Sequence, residues 1–327
     1  THGLPIEYEI EKHLGIKTKD EILKLGIGNY NEECRKIVFR CKEQWEKTIN
    51  RLGRWVDFKN DYKTLDKTFM ESVWNVFYQL HKKNLIYKGF KIMPYSTGCT
   101  TPLSNFEANS NYKDITEESV IVRFKMVDNE DTNKKLYALV WTTTPWTLPA
   151  NLALCVNKNI NYVKVRENGN SYLIAENLVN KVFDIHGDFT IIERLMGDAL
   201  EGMEYVPLMN NNNFNAFEGR ENAFRIMVDD YVSDKSGTGI VHIAPAFGED
   251  DFRVCVKNRI IREIDGSMSL VCPVDSNGKY TNHVPEYVGR YVKDCDKDII
   301  ARLKDESKLI KRMNTHHSYP FCWRSDT

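Results

Sequence analysis

The sequence predicts an α/β protein, a β-rich (barrel-like) body with a helical flank, on three observations. Apolar residues recur at helical spacing in two long stretches before residue 85. They alternate at period two in paired stretches after residue 119, and short helical patterns separate the later pairs. At 327 residues and about 150 per domain, the chain holds roughly two units.

From Asn31 to Leu52, residues Ile37, Cys41, Trp45, Ile49 and Leu52 fall three or four apart, with Asn31 placed as N-cap and Gly53 beyond the end. That pattern predicts one long amphipathic helix. A second is predicted after Asp66, with Phe69, Val73, Val76, Phe77 and Leu80 on one face and Asn84 near its stop; the two are expected to pack together. Ile86 to Ile92 alternates across Lys88-Gly89 and reads as a small hairpin. Val120 to Met126 and Leu136 to Trp141 read as strands around a polar turn, Asp128 to Asn133. Tyr162 to Arg166 and Tyr172 to Ala175 flank Asn168-Gly169, the dipeptide that type I′ hairpins favour. Further strands are predicted at Phe189 to Glu193, Arg225 to Val228 and Gly239 to Ile243. Helices are predicted at Glu176 to Ile185, Asp250 to Val256 and Val292 to Leu303. The Asn210 to Asn213 run reads as an exposed loop.

Lys plus Arg (45) against Asp plus Glu (46) leaves a net charge of -1, so no overall basic excess holds a nucleic acid. Eight scattered cysteines are too sparse for a disulfide scaffold, which favours reduced thiols. No run of eighteen apolar residues and no signal-peptide pattern occurs, so a cytosolic protein with no membrane contact is expected. The missing initiator Met and the abrupt end lead us to expect a fragment of a longer chain. Walker, Gly-x-Gly-x-x-Gly, Gly-x-Ser-x-Gly, His-Glu-x-x-His and zinc-deaminase strings are all absent. Phosphoryl transfer, serine-esterase chemistry and zinc proteolysis thereby lose support.

Two constellations carry chemistry. Trp141-Thr142-Thr143-Thr144-Pro145-Trp146-Thr147-Leu148-Pro149-Ala150-Asn151 is either a strand end whose hydroxyls cap a turn or a rigid, hydroxyl-rich rim beside an aromatic wall. The second runs from Ser236 through Gly237-Thr238-Gly239-Ile240-Val241-His242-Ile243-Ala244-Pro245 to Phe252. Singly, His242 reads as a core histidine and Asp250 as a helix cap. Together, a strand bearing His242, a broken loop and a helix opening on carboxylates put an imidazole and an acid at one cleft mouth.

These two strings resemble the halves of the editing site in isoleucyl-tRNA synthetases, and the resemblance covers nearly the whole chain. His2-Gly3-Leu4-Pro5-Ile6-Glu7 is similar to the segment leaving the first half of the synthetase nucleotide-binding fold, and Tyr319-Pro320-Phe321-Cys322-Trp323-Arg324 to the return toward it. Leucyl and valyl relatives usually carry Thr-Thr-Arg-Pro where this chain reads Thr143-Thr144-Pro145-Trp146 after Thr142, which points to the isoleucyl branch. The Gly248-Glu249-Asp250-Asp251-Phe252 ending resembles the eukaryotic and archaeal cytosolic enzymes. The family often holds a zinc ribbon on two Cys-x-x-Cys knuckles. Here they read Ser96-Thr97-Gly98-Cys99 and Cys322-Trp323-Arg324-Ser325, so no metal site is expected, and Cys99 and Cys322 read as ordinary buried residues.

The resemblance implies an editing domain of the class I isoleucyl/valyl/leucyl type at 113–312, a flank at 1–112 joining the missing catalytic fold, and a return segment at 313–327. It implies hydrolysis of valine mischarged on isoleucine tRNA. Asp251 would pair with the substrate ammonium and His242 with Trp146 would shape the side-chain pocket. Thr142, Thr143, Thr144 and Asn151 would position the terminal adenosine, the ester and the attacking water. No cofactor is implied for editing; ATP and magnesium serve only the missing catalytic domain, whose His-x-Gly-His and Lys-Met-Ser-Lys-Ser strings are absent here. The isolated fragment should bind tRNA weakly. The alternatives are an inactive tRNA-binding or interaction module and a metal-dependent hydrolase, which has little support because the only adjacent histidines, His316-His317, have no carboxylates at ligand spacing.

Overall fold

The computed structural model describes residues 3–16, 19–127, 135–183, 187–209, 219–264, 267–323 and 325–326. The expected turn at Asp128 to Asn133, the Asn210 to Asn213 run, the end of the helix expected to reach Ile185, and Arg324 lie outside them. The chain divides into two units, Thr1–Tyr87 and Lys88–Thr327. Residues 88–112, expected within the flank, belong to the second unit.

The first unit holds α1 (Gly3–Leu14), α2 (Lys19–Leu25), α3 (Ile27–Arg51) and α4 (Lys67–Lys82). The long helix starts at Ile27 behind Gly26, five residues ahead of the first residue expected to be helical after the Asn31 cap, and α4 follows Asp66 as expected. Its partners differ from expectation. α3 packs on α1 and α2, where the Tyr30 hydroxyl donates to Glu11 Oε1 at 3.0 Å. The α4 residues Val73, Trp74, Val76 and Phe77 stay exposed within this unit.

The hairpin expected at Ile86 to Ile92, which straddles the division between the units, does not form. Residues 85–94 carry no strand, and Tyr87 and Phe90 are exposed. Alternation alone cannot hold a two-stranded piece that has no sheet to pack on. A short ribbon forms instead from β1 (Tyr95–Ser96) and β2 (Thr101–Pro102), followed by α5 (Asn105–Ala108) with a Ser104/Glu107 capping box.

The main body follows: β3 (Tyr112–Lys125), β4 (Leu136–Thr142), β5 (Ala153–Val156), β6 (Asn161–Glu167), β7 (Asn170–Ala175), α6 (Val179–Val182), β8 (Phe189–Met196), β9 (Ile226–Val228), β10 (Val241–Ile243), α7 (Glu249–Lys257), β11 (Glu263–Ile264), β12 (Ser267–Met268), α8 (Asp296–Asp305) and β13 (Leu309–Pro320). One sheet runs β13-β3-β4-β7-β6-β8 and a second β10-β5-β9; β11 pairs with β12. β4 and β7 are parallel, as are β5 and β9, and the other pairs are antiparallel. Asn168 (φ 49) and Gly169 (φ 77) supply the positive φ pair that their turn requires.

The two sheets share one core. Phe124, Leu139, Leu154, Leu173, Ile174 and Ile226 have no exposed surface. Residues 203–206 stitch the sheets together, because Val206 N donates to Lys125 O (2.8 Å) and Tyr205 N to Phe224 O (2.9 Å). On another side Ala175 N donates to Thr238 O (3.0 Å). The architecture is the sheet-rich α/β body with a helical flank that the sequence predicts. β13 crosses the expected 312/313 boundary as one continuous strand paired to β3 from Tyr112↔Pro320 to Val122↔Leu309.

Candidate functional site

Three elements converge on the site. β4 ends at Thr142, and the chain turns through Thr143 and Thr144 into a 3₁₀ helix, Pro145–Ala150, whose first position is a proline. In such a helix residues three apart eclipse, so Thr144 and Thr147 stand on one side with their Oγ1 atoms 3.2 Å apart. β10 brings His242, opposite Leu154 of β5. α7 brings Asp251 on its first turn.

A chain of hydroxyls runs into the imidazole. Thr144 N donates to Thr142 Oγ1 (3.1 Å), and the Thr142 and Thr144 hydroxyls lie 3.2 Å apart. The Thr147 hydroxyl donates to Thr144 O (2.8 Å) and lies 3.0 Å from His242 Nε2. With that single proton committed, Nε2–H of His242 donates to Thr147, which leaves Nδ1 as the bare acceptor. Burial drives the His242 pKa down to about 4, so the ring is neutral. Its Nδ1 and the Trp146 indole Nε1 are buried with no hydrogen-bond partner among the described residues. One acceptor and one donor are thereby left unspent at the site.

Trp146 is held at both backbone ends, since its N–H donates to Asp296 Oδ1 (2.8 Å) and its carbonyl accepts from the Tyr280 hydroxyl (2.5 Å). Its ring meets Phe247 edge-on at 4.8 Å. Burial lifts the Asp296 carboxyl to about 6, with Lys293 opposing.

Asp251 is half-buried, and its Oδ2 accepts from Ala244 N at 2.8 Å. A Cβ on Gly248 would lie 2.7 Å from the Asp251 Cγ, so only glycine lets the carboxylate fold back over the helix start. Burial lifts its pKa to about 6, with the Ala244 amide opposing and the Asp250 charge adding. Asp250 is exposed and bonds Arg253 (2.9 Å). Arg253 also forks onto Asp229 at 2.9 and 2.8 Å, and those bonds hold the Asp229 carboxyl down at about 2. Adjacent carboxylates therefore serve different ends, one facing the site and one a surface ion network.

A cavity of about 1100 Å³ is lined by Thr144, Trp146, Thr147, His242, Phe247 and Asp251, among others. Of the residues singled out in the sequence, Thr144, Trp146, His242 and Asp251 line it. Thr142 stands behind Thr144 as its hydrogen-bond support. Thr143 does not line it, and neither does Asn151, which is spent in the core: its Nδ2 donates to Ala153 O (2.8 Å) and its Oδ1 accepts from Tyr205 (2.6 Å). Sequence reasoning missed Thr147 as a separate contributor, although its spacing of three from Thr144 carried the signal. Asp296 carried none, because it lies 150 positions from the residue it anchors. His316 and His317 are engaged elsewhere, with Thr116 and Glu117.

The four knuckle positions do meet. Cys99 Sγ lies 3.9 Å from Cys322 Sγ and Ser96 Oγ 3.4 Å from Ser325 Oγ. Two thiols and two neutral hydroxyls do not fit a tetrahedral zinc site, which takes four thiolate or imidazole donors. Among the described residues no group of three or more His, Cys, Asp or Glu side chains converges as a metal would need. Nor is any helix among them long and apolar enough to cross a membrane.

The chain is 53% identical to the cytoplasmic isoleucine-tRNA ligase of Caenorhabditis elegans and 51% identical to that of Mus musculus, in each case over all of this chain. It spans 28% and 25% of those relatives' lengths. Among solved structures it is similar to the editing domain of the P. knowlesi cytosolic leucyl-tRNA synthetase. That likeness has a TM-score of 0.44 and 13% identity, over 64% of this chain and 98% of that one. The family described as tRNA synthetases class I (I, L, M and V) matches residues 1–305, and the chain belongs to that family.

Proposed function

We propose that the second unit is the hydrolytic editing domain of an isoleucyl-tRNA synthetase, cleaving the ester that joins valine to isoleucine tRNA. One observation carries the reading: a half-buried carboxylate, a neutral imidazole and an ordered hydroxyl chain meet on the wall of a single cavity. Above about pH 6 Asp251 is ionised and pairs with the α-ammonium of the aminoacyl group, in a place where water screens the pair poorly. Trp146, Phe247 and the His242 ring bound the side-chain pocket by shape. A single methylene discriminates by only about 10 to 200-fold, a general limit whose standard instance is isoleucine against valine, so a second sieve is needed.

Thr144 accepts from Thr142 and donates to Thr147, which leaves a lone pair to orient the attacking water or a ribose hydroxyl. The water oxygen bonds to the ester carbonyl carbon, the bond to the ribose oxygen breaks, and that oxygen takes the proton. The reaction draws on no cofactor, and ATP and magnesium belong to the synthetic half of the whole enzyme. With a net charge of -1, the chain alone binds tRNA weakly. The cytoplasmic relatives support action in the cytoplasm.

Deacylation of valine-charged isoleucine tRNA, with and without a chelator, tests this. Hydrolysis indifferent to the chelator is expected. Hydrolysis lost on chelation would favour a metal-dependent hydrolase, and tRNA binding without hydrolysis an inactive binding module.

A further inference from the structure

The turn at residues 96–99 meets Cys322 and Ser325, with Cys99 Sγ 3.9 Å from Cys322 Sγ. Flanking hydroxyls brace the pair, since Cys99 N donates to Ser96 Oγ (3.1 Å) and Ser96 Oγ lies 3.4 Å from Ser325 Oγ. We propose that Cys99 and Cys322 form a reversible redox staple, an oxidant-inducible disulfide joining positions 223 apart in the chain. The sulfurs need approach by only about 2 Å to reach bonding distance.

Accessibility assigns the roles: Cys99 is partly exposed and Cys322 is 3% exposed. With a peroxide as oxidant, the Cys99 thiolate attacks one peroxide oxygen. The O–O bond breaks, a sulfenic acid forms and hydroxide leaves as water. The Cys322 thiolate then attacks that sulfur and expels a second hydroxide, also leaving as water. Two sulfurs lose two electrons in all and the peroxide gains them. Burial raises the Cys99 pKa, with Ser325 and Ser96 opposing, so little thiolate is present at neutral pH and the step needs an excess of oxidant. Because Ser96, Thr97 and Cys322 line the same cavity as Thr144, His242 and Asp251, the staple ties together one wall of the site.

The test treats the full chain with a moderate excess of hydrogen peroxide and maps peptides by mass, with a parallel thermal melt. The expected result is a cross-linked Cys99/Cys322 peptide pair lighter by two hydrogens, a Tm raised by several degrees, and reversal of both by dithiothreitol. Cys99→Ser, which matches the neighbouring hydroxyls, should abolish both changes. Advance of Cys99 to a sulfinic acid without a cross-link would overturn the proposal. So would a Tm rise that persists in Cys99→Ser.

Discussion

Replacing Asp251 by Asn keeps the shape and the acceptor for Ala244 N–H but removes the charge. Burial has lifted this carboxyl from 3.8 to about 6, and at about 1.4 kcal/mol per pH unit the difference comes to at most about 3 kcal/mol. The sign follows from which form burial penalises. The cost is absent below pH 3.8, grows as pH rises toward 6 and stays constant above. Asp251→Asn should therefore stabilise the fold by up to about 3 kcal/mol at pH 7.5 and by almost nothing at pH 3.5. The same substitution should slow deacylation of valyl-tRNA about a hundredfold or more, since losing a charge-assisted bond to the ammonium removes about 2.7 kcal/mol from the transition state. Urea melts at the two pH values, run beside single-turnover deacylation, give both numbers. Asp250→Asn is the control: its carboxylate is exposed and bonds Arg253, so it should move stability by less than about 1 kcal/mol and leave the rate nearly unchanged. A variant less stable than the parent at pH 7.5, equally stabilised at both pH values, or still active would refute the reasoning.

Trimming His242 to Ala should open room for one more methylene, worth about 0.8 kcal/mol in burial, so the variant should hydrolyse isoleucyl-tRNA that the parent spares. Loss on valyl-tRNA without that gain would replace the steric role with a proton-transfer one. NMR of the His242 ring should show titration at about 4, where burial places it, and the stability from burying the neutral ring should fall as pH drops from 6.5 toward 4. Asp296→Ala, which removes the acceptor for the Trp146 N–H, read against Tyr280→Phe, should raise KM for the mischarged tRNA several-fold by loosening the Trp146 backbone, with the fold's Tm little changed in Tyr280→Phe. Purified protein should contain well under one equivalent of zinc by elemental analysis and keep its Tm in chelator.

What could be read from the sequence follows the strength of each local signal. The Asn168-Gly169 hairpin and α7 were legible because turn chemistry and helical spacing agree there. β5 was not, because Ala153–Val156 is buried throughout and shows no alternation. β13 was missed for the opposite reason: its Lys311 to Ser318 stretch is polar on both faces, and only the ladder to β3 makes it a strand. At the site, His242 and Asp251 stood out as an imidazole and an acid around a broken loop. Asn151 sat in the same string as the threonines, yet its amide is taken up by Ala153 and Tyr205. Sequence adjacency puts residues on one turn; which of them faces a cavity depends on partners far along the chain.

The long ladder of β3 and β13 places Tyr112 opposite Pro320, and facing Cα atoms in an antiparallel pair are about 4.5–5.5 Å apart. Everything between them hangs like a bucket from a handle whose two ends meet at one spot. Such a module can be spliced into a surface loop of another protein without stretching its host, and its removal leaves a gap that a tight turn can seal. The sheet-rich body between these two residues is thus joined to the rest of the chain at a single place.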